Sequence, residues 1–230
     1  MKKIGLVGGI GPASTVDYYI GLINKCRIES GDTVYPEIVI DSVNMVEATD
    51  YLLNGDNKKS TELMLRSINN LKAAGAEIAA ITANTEHTVW DEMEDFFEIP
   101  VISIVEVGVN ETLRLGYKRV LILGTVFTLN SGIYEKCFAA NGITPITPCD
   151  DDKERIGKLI YPNLENGIVV PKDKAEMLEI INKYVEYDNA DAILLGCTEL
   201  PLMIKEDDVK IPLLDTTQIH IGAIYNAAKK

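Results

Sequence analysis

The sequence predicts an α/β protein of two similar lobes, each a parallel sheet covered by helices, related by pseudo-twofold symmetry with the active site in the cleft between them. Two observations predict it. Short apolar runs alternate with segments of helical periodicity along the whole chain, which is the pattern of a helix-covered parallel sheet. The two halves can also be laid on one another. Gly8 matches Gly124, Ala83 matches Cys197 and Pro100 matches Pro212, so the offset drifts only from 116 to 112 residues. The expected lobes are residues 1–98 with 209–230, and residues 99–208.

Residues 3–8 read as a strand running into the turn Gly8-Gly9-Ile10-Gly11-Pro12. Pro12 suits a helix start, and residues 13–26 keep helical periodicity. The turn lacks the spacing of a dinucleotide fingerprint, and no acidic residue closes a second strand about twenty residues on. It is read instead as a loop for a small anion or the substrate backbone, with Gly9 in contact. Ser14 and Thr15 add hydroxyls or cap the helix. Residues 37–43 form the second strand, and residues 44–56 a polar, mobile connection. A helix covers 61–74, where Leu63, Met64, Ile68 and Leu71 share a face and Gly75 stops it. Residues 76–81 form the third strand, 88–97 an amphipathic helix, and 99–104 a fourth strand.

The second half repeats this. Residues 119–125 are a strand, followed by a turn with Thr128 and Ser131 and a helix from Gly132. A weak strand at 143–146 precedes an acidic loop, Asp150-Asp151-Asp152. Helices cover 154–164 and 172–187. The run Ala192-Ile193-Leu194-Leu195-Gly196 is a buried strand, 211–217 another, and a last helix starts near Gln218.

Composition narrows the function classes. With 22 basic against 35 acidic residues the net charge is −13, which argues against nucleic acid, whose binding rests on basic groups. No apolar run has the length of a membrane span, and residues 1–10 carry no signal-peptide pattern. Cys26, Cys137, Cys149 and Cys197 show neither close pairing nor metal spacing, so a cytoplasmic protein with reduced thiols and no metal site is expected.

The chemistry points to Gly196-Cys197-Thr198-Glu199. A thiol at the carboxyl end of a buried strand sits where open α/β sheets bind ligands. Amides of the following turn favour its thiolate, which acts as base or nucleophile; Glu199 works against this or holds a substrate ammonium. The alternative is a small buried hydrophobe. Opposite it, Ala83-Asn84-Thr85 ends the third strand. Asn84, Thr85 and Thr198, with Thr125 and Thr128 more weakly, are candidate donors to a substrate carboxylate, or helix caps. His87, three residues past Asn84, titrates near neutral pH and is a candidate acid/base, or a histidine satisfied in the packing. Tyr18, Tyr19 and Trp90 read as core or subunit-contact aromatics, and Cys26, Cys137 and Cys149 as structural.

Three motifs in this order and spacing, Gly8-Gly9-Ile10-Gly11-Pro12, Ala83-Asn84-Thr85-Glu86-His87 and Gly196-Cys197-Thr198-Glu199, make the chain resemble the aspartate/glutamate racemase family over essentially its whole length. The resemblance implies a cofactor-independent amino-acid racemase, usually a homodimer, in which two cysteines flank the substrate α-carbon. The second of them falls on Cys197. The first falls on Ala83, which cannot transfer a proton, leaving His87 or a water held by Thr82 to supply it. A family arginine that holds a substrate carboxylate falls on Ala48, and a family lysine on Glu165, a charge reversal. A neutral or basic substrate side chain is then expected rather than an acidic one. Two rivals remain: a decarboxylase of the same superfamily, for which one thiol suffices, and an amino-acid-binding protein without activity.

Overall fold

The computed structural model describes residues 1–30 and 34–230. It divides into two compact units, Met1–Ile104 with Thr217–Lys230, and Val105–Thr216. These bounds differ from the expected ones because the strand at 101–102 pairs with the first sheet and the strand at 213–215 with the second.

The first unit runs β1 (Ile4–Gly8), α1 (Pro12–Ser30), β2 (Ile38–Ser42), α2 (Met45–Leu53), α3 (Asn57–Ala73), β3 (Ile78–Ile81), α4 (Trp90–Met93) and β4 (Val101–Ile102). Its four strands are parallel in the order β2-β1-β3-β4. The central strands β1 and β3 are buried on both faces, and side chains alternate between those faces as strand geometry requires. Val7, Ala79 and Ile81 pack with Leu63, Met64, Ile68 and Leu71 of α3. Ile4, Leu6, Ile78 and Ala80 pack with Tyr18, Leu22 and Cys26 of α1 and with Ile221, Ile224, Tyr225 and Ala228.

The second unit follows with α5 (Ile104–Leu115), β5 (Arg119–Gly124), α6 (Val126–Ser131), α7 (Ile133–Ala140), β6 (Thr144–Ile146), α8 (Asp150–Ile160), α9 (Pro171–Tyr187), β7 (Ala192–Gly196), α10 (Leu200–Met203) and β8 (Leu213–Asp215), and α11 (Thr216–Lys229) then returns the chain to the first unit. Its strands are parallel in the order β6-β5-β7-β8. This is the first unit's order repeated, with β1 and β3 answered by β5 and β7, as the matched glycines and strand ends require.

Local chemistry redraws several elements. The expected connection at 44–56 contains α2, because the Asn44 side chain accepts from the Val46 amide at 3.0 Å and starts a helix there. Asp56 accepts from the Lys59 amide at 3.2 Å, so α3 begins at Asn57. Asp150-Asp151-Asp152 is not a loop but the first turn of α8, where acidic groups suit the helix dipole. Asp152 is buried and accepts from Lys183 at 2.6 Å, the Tyr184 hydroxyl at 2.8 Å and Arg155 at 3.0 Å. Burial pushes its carboxyl up, but those donors outweigh it and hold it at about 2.

The expected helix at 88–97 is broken into a 3-10 turn at Thr85–Val89, the short α4, and a second 3-10 turn at Glu94–Phe96. His87 explains the first break. Its ring Nδ1 takes the Ala83 carbonyl at 2.9 Å, the group an α-helix would offer to the His87 amide. That amide bonds Asn84 O at 3.0 Å instead.

Candidate active site

In a doubly wound parallel sheet, ligands bind outside the carboxyl ends of the strands where the order reverses. That point falls after β1 and β3 in the first unit and after β5 and β7 in the second. Gly9, Asn84, Thr85 and His87 lie at the first of these places; Thr125, Cys197, Thr198 and Glu199 lie at the second.

At the β1–β3 end the glycine turn is closed on itself. Gly9 has φ +92°, and a Cβ there would stand 2.4 Å from the Val43 carbonyl oxygen. Its amide donates to Thr15 Oγ1 at 2.9 Å. The turn therefore shapes the strand end, and the Gly9 amide is committed within it. Gly9→Ala is expected to cost at least about 2 kcal/mol of stability, read as a lowered urea midpoint.

Thr82 is fully buried and donates to Val7 O at 3.0 Å, so it does not offer the expected water site. Asn84 is buried and makes no side-chain cap to the turn that follows, so helix capping does not account for it. Thr85 is half-buried.

His87 is buried, with Trp90 stacked on its ring at 4.9 Å. Both ring nitrogens are committed. A carbonyl only accepts, so Nδ1 carries the proton toward Ala83, and Nε2 accepts from the Ile104 amide at 3.3 Å. Burial lowers its pKa to about 4. This arrangement corrects the expectation of an acid/base here: the imidazole is neutral and has no free nitrogen for a substrate. Its neighbour Glu86 was not singled out from sequence. It is buried, its Oε2 has no hydrogen-bond partner, and burial raises its carboxyl to about 7.

At the β5–β7 end, Thr125 accepts from the Thr128 amide at 3.2 Å and caps α6. Cys197 is 6% exposed. Glu199 Oε2 accepts from the Cys197 thiol at 3.2 Å and from the Thr198 hydroxyl at 2.8 Å. The Thr198 hydroxyl proton is thus turned to Glu199. Burial first, and the Glu199 charge second, push the Cys197 thiol well up; hydrogen bonds from the Glu199 and Leu200 amides pull the other way without winning. The expected depression of this thiol is therefore reversed.

Glu165 lies on a 3-10 turn at Leu164–Asn166. Burial raises its carboxyl, with the Glu199 charge adding to the rise and the Tyr161 hydroxyl working against it. Tyr161 is also within electrostatic reach of Cys197 and Glu199, and burial and these acidic neighbours raise its phenol. Sequence reasoning missed Tyr161, whose only signal was its place in the segment leading to Glu165. Hydrogen bonds join Cys197 and Thr198 to Glu199, and Glu165 and Tyr161 lie within electrostatic reach of Glu199. Ala48, by contrast, is a buried core residue of α2.

Glu199→Gln removes the carboxylate that holds the thiol proton. Iodoacetamide trapping of Cys197 at pH 8 should then rise about tenfold, the gain from one pKa unit. An unchanged rate would show that Glu199 does not restrain the thiol.

Among the described residues no group of three or more His, Cys, Asp or Glu is arranged to hold a metal ion, and no helix is long and apolar enough to cross a membrane. The family model described as Asp/Glu/Hydantoin racemase matches residues 7–224. The chain is 26% identical over 219 residues to the broad specificity amino-acid racemase RacX of Bacillus subtilis, covering 93% of this chain and 92% of that one. An aspartate racemase homologue from Pyrococcus horikoshii superposes with a TM-score of 0.87 at 34% identity, covering 100% of both chains. The aspartate racemase of Picrophilus torridus superposes with a TM-score of 0.79 at 26% identity, covering 99% of this chain and 95% of that one.

Proposed function

The chain belongs to the Asp/Glu/Hydantoin racemase family, and from that membership we propose that it is an isomerase, an amino-acid racemase or epimerase that works without a cofactor and uses Cys197 as one acid/base. The observation that carries this reading is the Cys197–Glu199 hydrogen bond of 3.2 Å at the end of β7. An ammonium bound to Glu199 offsets the charge that holds the thiol protonated, so substrate binding itself favours the thiolate. The thiolate then takes the α-proton: the C–H bond breaks, an S–H bond forms, and the electron pair moves into the carboxylate. Donors to that carboxylate stabilise the developing charge.

Ala83 has no acidic proton and both nitrogens of His87 are committed. Water is therefore the proposed donor on the other face, and the Cys197 proton returns to solvent. One proton is gained and one lost, and the stereocentre inverts. The missing second acid equally suits a decarboxylation, which needs one protonation only. The test is a panel of single-enantiomer amino acids in heavy water. Deuterium entering the α-position with appearance of the other enantiomer supports racemisation. Carbon dioxide release from an arylmalonate supports the rival, and ligand-induced thermal stabilisation with neither reaction leaves a binding protein. A homodimer is part of the proposal, checked by sedimentation equilibrium.

A further inference from the structure

Within the first unit, α2 and α3 enclose a cavity of about 430 Å³, lined by Glu47 and Tyr51 of α2 and by Lys59, Glu62, Leu63 and Arg66 of α3. We infer that this cavity is a binding site for a small amino acid with an apolar side chain, held as the zwitterion with its carboxylate on Arg66. Its size is that of small-molecule sites. It involves neither Cys197 nor any residue of the second unit, so the inference does not rest on the racemase reading.

Arg66 is the anchor because the other charges of the lining are answered from within the protein. Lys59 pairs with Asp56 at 2.8 Å, and its ammonium stands 5.5 Å from the Tyr51 ring centroid. Glu47 accepts from the Tyr51 hydroxyl at 2.8 Å. Glu62 has Lys58 at 3.8 Å. Arg66 has neither a carboxylate nor a carbonyl bonded to it among the described residues, in a chain where 35 acidic residues outnumber 22 basic ones. The planar donors of a guanidinium match a carboxylate, two bonds at a time.

The rest of the lining selects among carboxylates. Glu47 and Glu62 repel a second negative charge and attract an ammonium. With Lys59 and Arg66 they make two negative and two positive groups, so a ligand carrying one of each sign leaves the site neutral. An aspartate or a bare amine does not. Leu63, 3% exposed, and the half-buried Tyr51 ring offer apolar surface to the side chain.

The experiment follows the arginine Nε–H signals of the isotope-labelled full chain by NMR. L-leucine is added to about 10 mM. Arg66→Gln identifies the Arg66 signal by its absence, and circular dichroism checks that this variant is folded. Three further probes dissect the ligand: 4-methylpentanoate, which is leucine without its ammonium, 3-methylbutylamine, which is leucine without its carboxylate, and L-aspartate. Leucine is expected to shift the Arg66 signal saturably. Each truncated probe should bind about fivefold more weakly, the worth of one exposed ion pair, and aspartate more weakly than leucine. In Arg66→Gln the leucine-induced shifts of the backbone amides at 45–66 should be lost. No saturable shift of Arg66 with leucine overturns the inference. So does a truncated probe or aspartate that binds as tightly as leucine. Amide shifts at 45–66 that persist in folded Arg66→Gln remove Arg66 as the anchor. None of these outcomes depends on α-proton exchange, so this site and the racemase reading can fail separately.

Discussion

Cys197→Ser is expected to abolish α-proton exchange, by about a thousandfold or more in kcat, while the protein stays folded. A serine hydroxyl ionises far above a thiol, so the base disappears although its position is kept. The substitution is small, and the serine hydroxyl can still donate to Glu199, which accepts from the thiol at 3.2 Å in the native protein. The groups proposed to bind substrate remain, so KM should move little. Equilibrium isotope exchange, circular dichroism and a denaturant midpoint on the same preparation separate lost chemistry from lost fold. Exchange at the wild-type rate would remove the thiol from the mechanism.

The second large effect is on stability against pH. His220 is fully buried, with its Nε2 donating to Ile102 O at 2.9 Å and its Nδ1 accepting from the Tyr18 hydroxyl at 2.8 Å. Burial lowers its pKa to about 3, and that of His87 to about 4. The two neutral rings tie down Ile102 and Ile104, at the end of β4 and the start of α5. An unfolded histidine takes a proton as pH falls through about 6.5, whereas these two do not until far lower. Their stabilising effect is full above that value and lost below it. Between pH 7 and 4.5 the two together should remove about 5 kcal/mol.

Glu86 acts in the opposite sense. Its carboxyl is raised to about 7, so the folded state takes up a proton before the unfolded one, and stability is gained as pH falls toward about 4.5. This offsets the histidines by about 2–3 kcal/mol. The wild type should therefore lose only about 2 kcal/mol from these groups over that window, and Glu86→Gln about 5. At pH 8 Glu86→Gln should be the more stable protein. Urea titrations at pH 8, 7 and 4.5 check both signs. Parallel stability curves for the two proteins would show that Glu86 is ionised in the native state.

Much of the fold was legible because its strands are buried on both faces and read as apolar runs, from Ile4 to Gly8 through Ala192 to Gly196. The repeat was legible for the same reason, since glycines and prolines fall at matching strand ends. Helix α2 was not, because it buries only Ala48 and so leaves little apolar periodicity; its Asn44 cap is the signal that was available. Of the site, the thiol at the end of β7 could be found from its position. Its protonation state could not, since that depends on how deeply Sγ is buried and where the Glu199 side chain turns. His87 had the right spacing for a cleft residue, yet the Ala83 carbonyl draws its ring inward. Tyr161 lies far from Cys197 in the chain, and only the turn after α8 brings the two within electrostatic reach.

Helix α11 supplies Ile221, Ile224, Tyr225 and Ala228 to the face of the first sheet that also buries Ile4 and Leu6. During synthesis that face stays uncovered until residues 216–229 have left the ribosome, while Val105–Thr216 is one continuous stretch that can fold earlier. Order of assembly is then the reverse of order of translation, and the exposed nascent face is a natural target for chaperones. Clipping the chain after Asp215 should leave that early-made half aggregating.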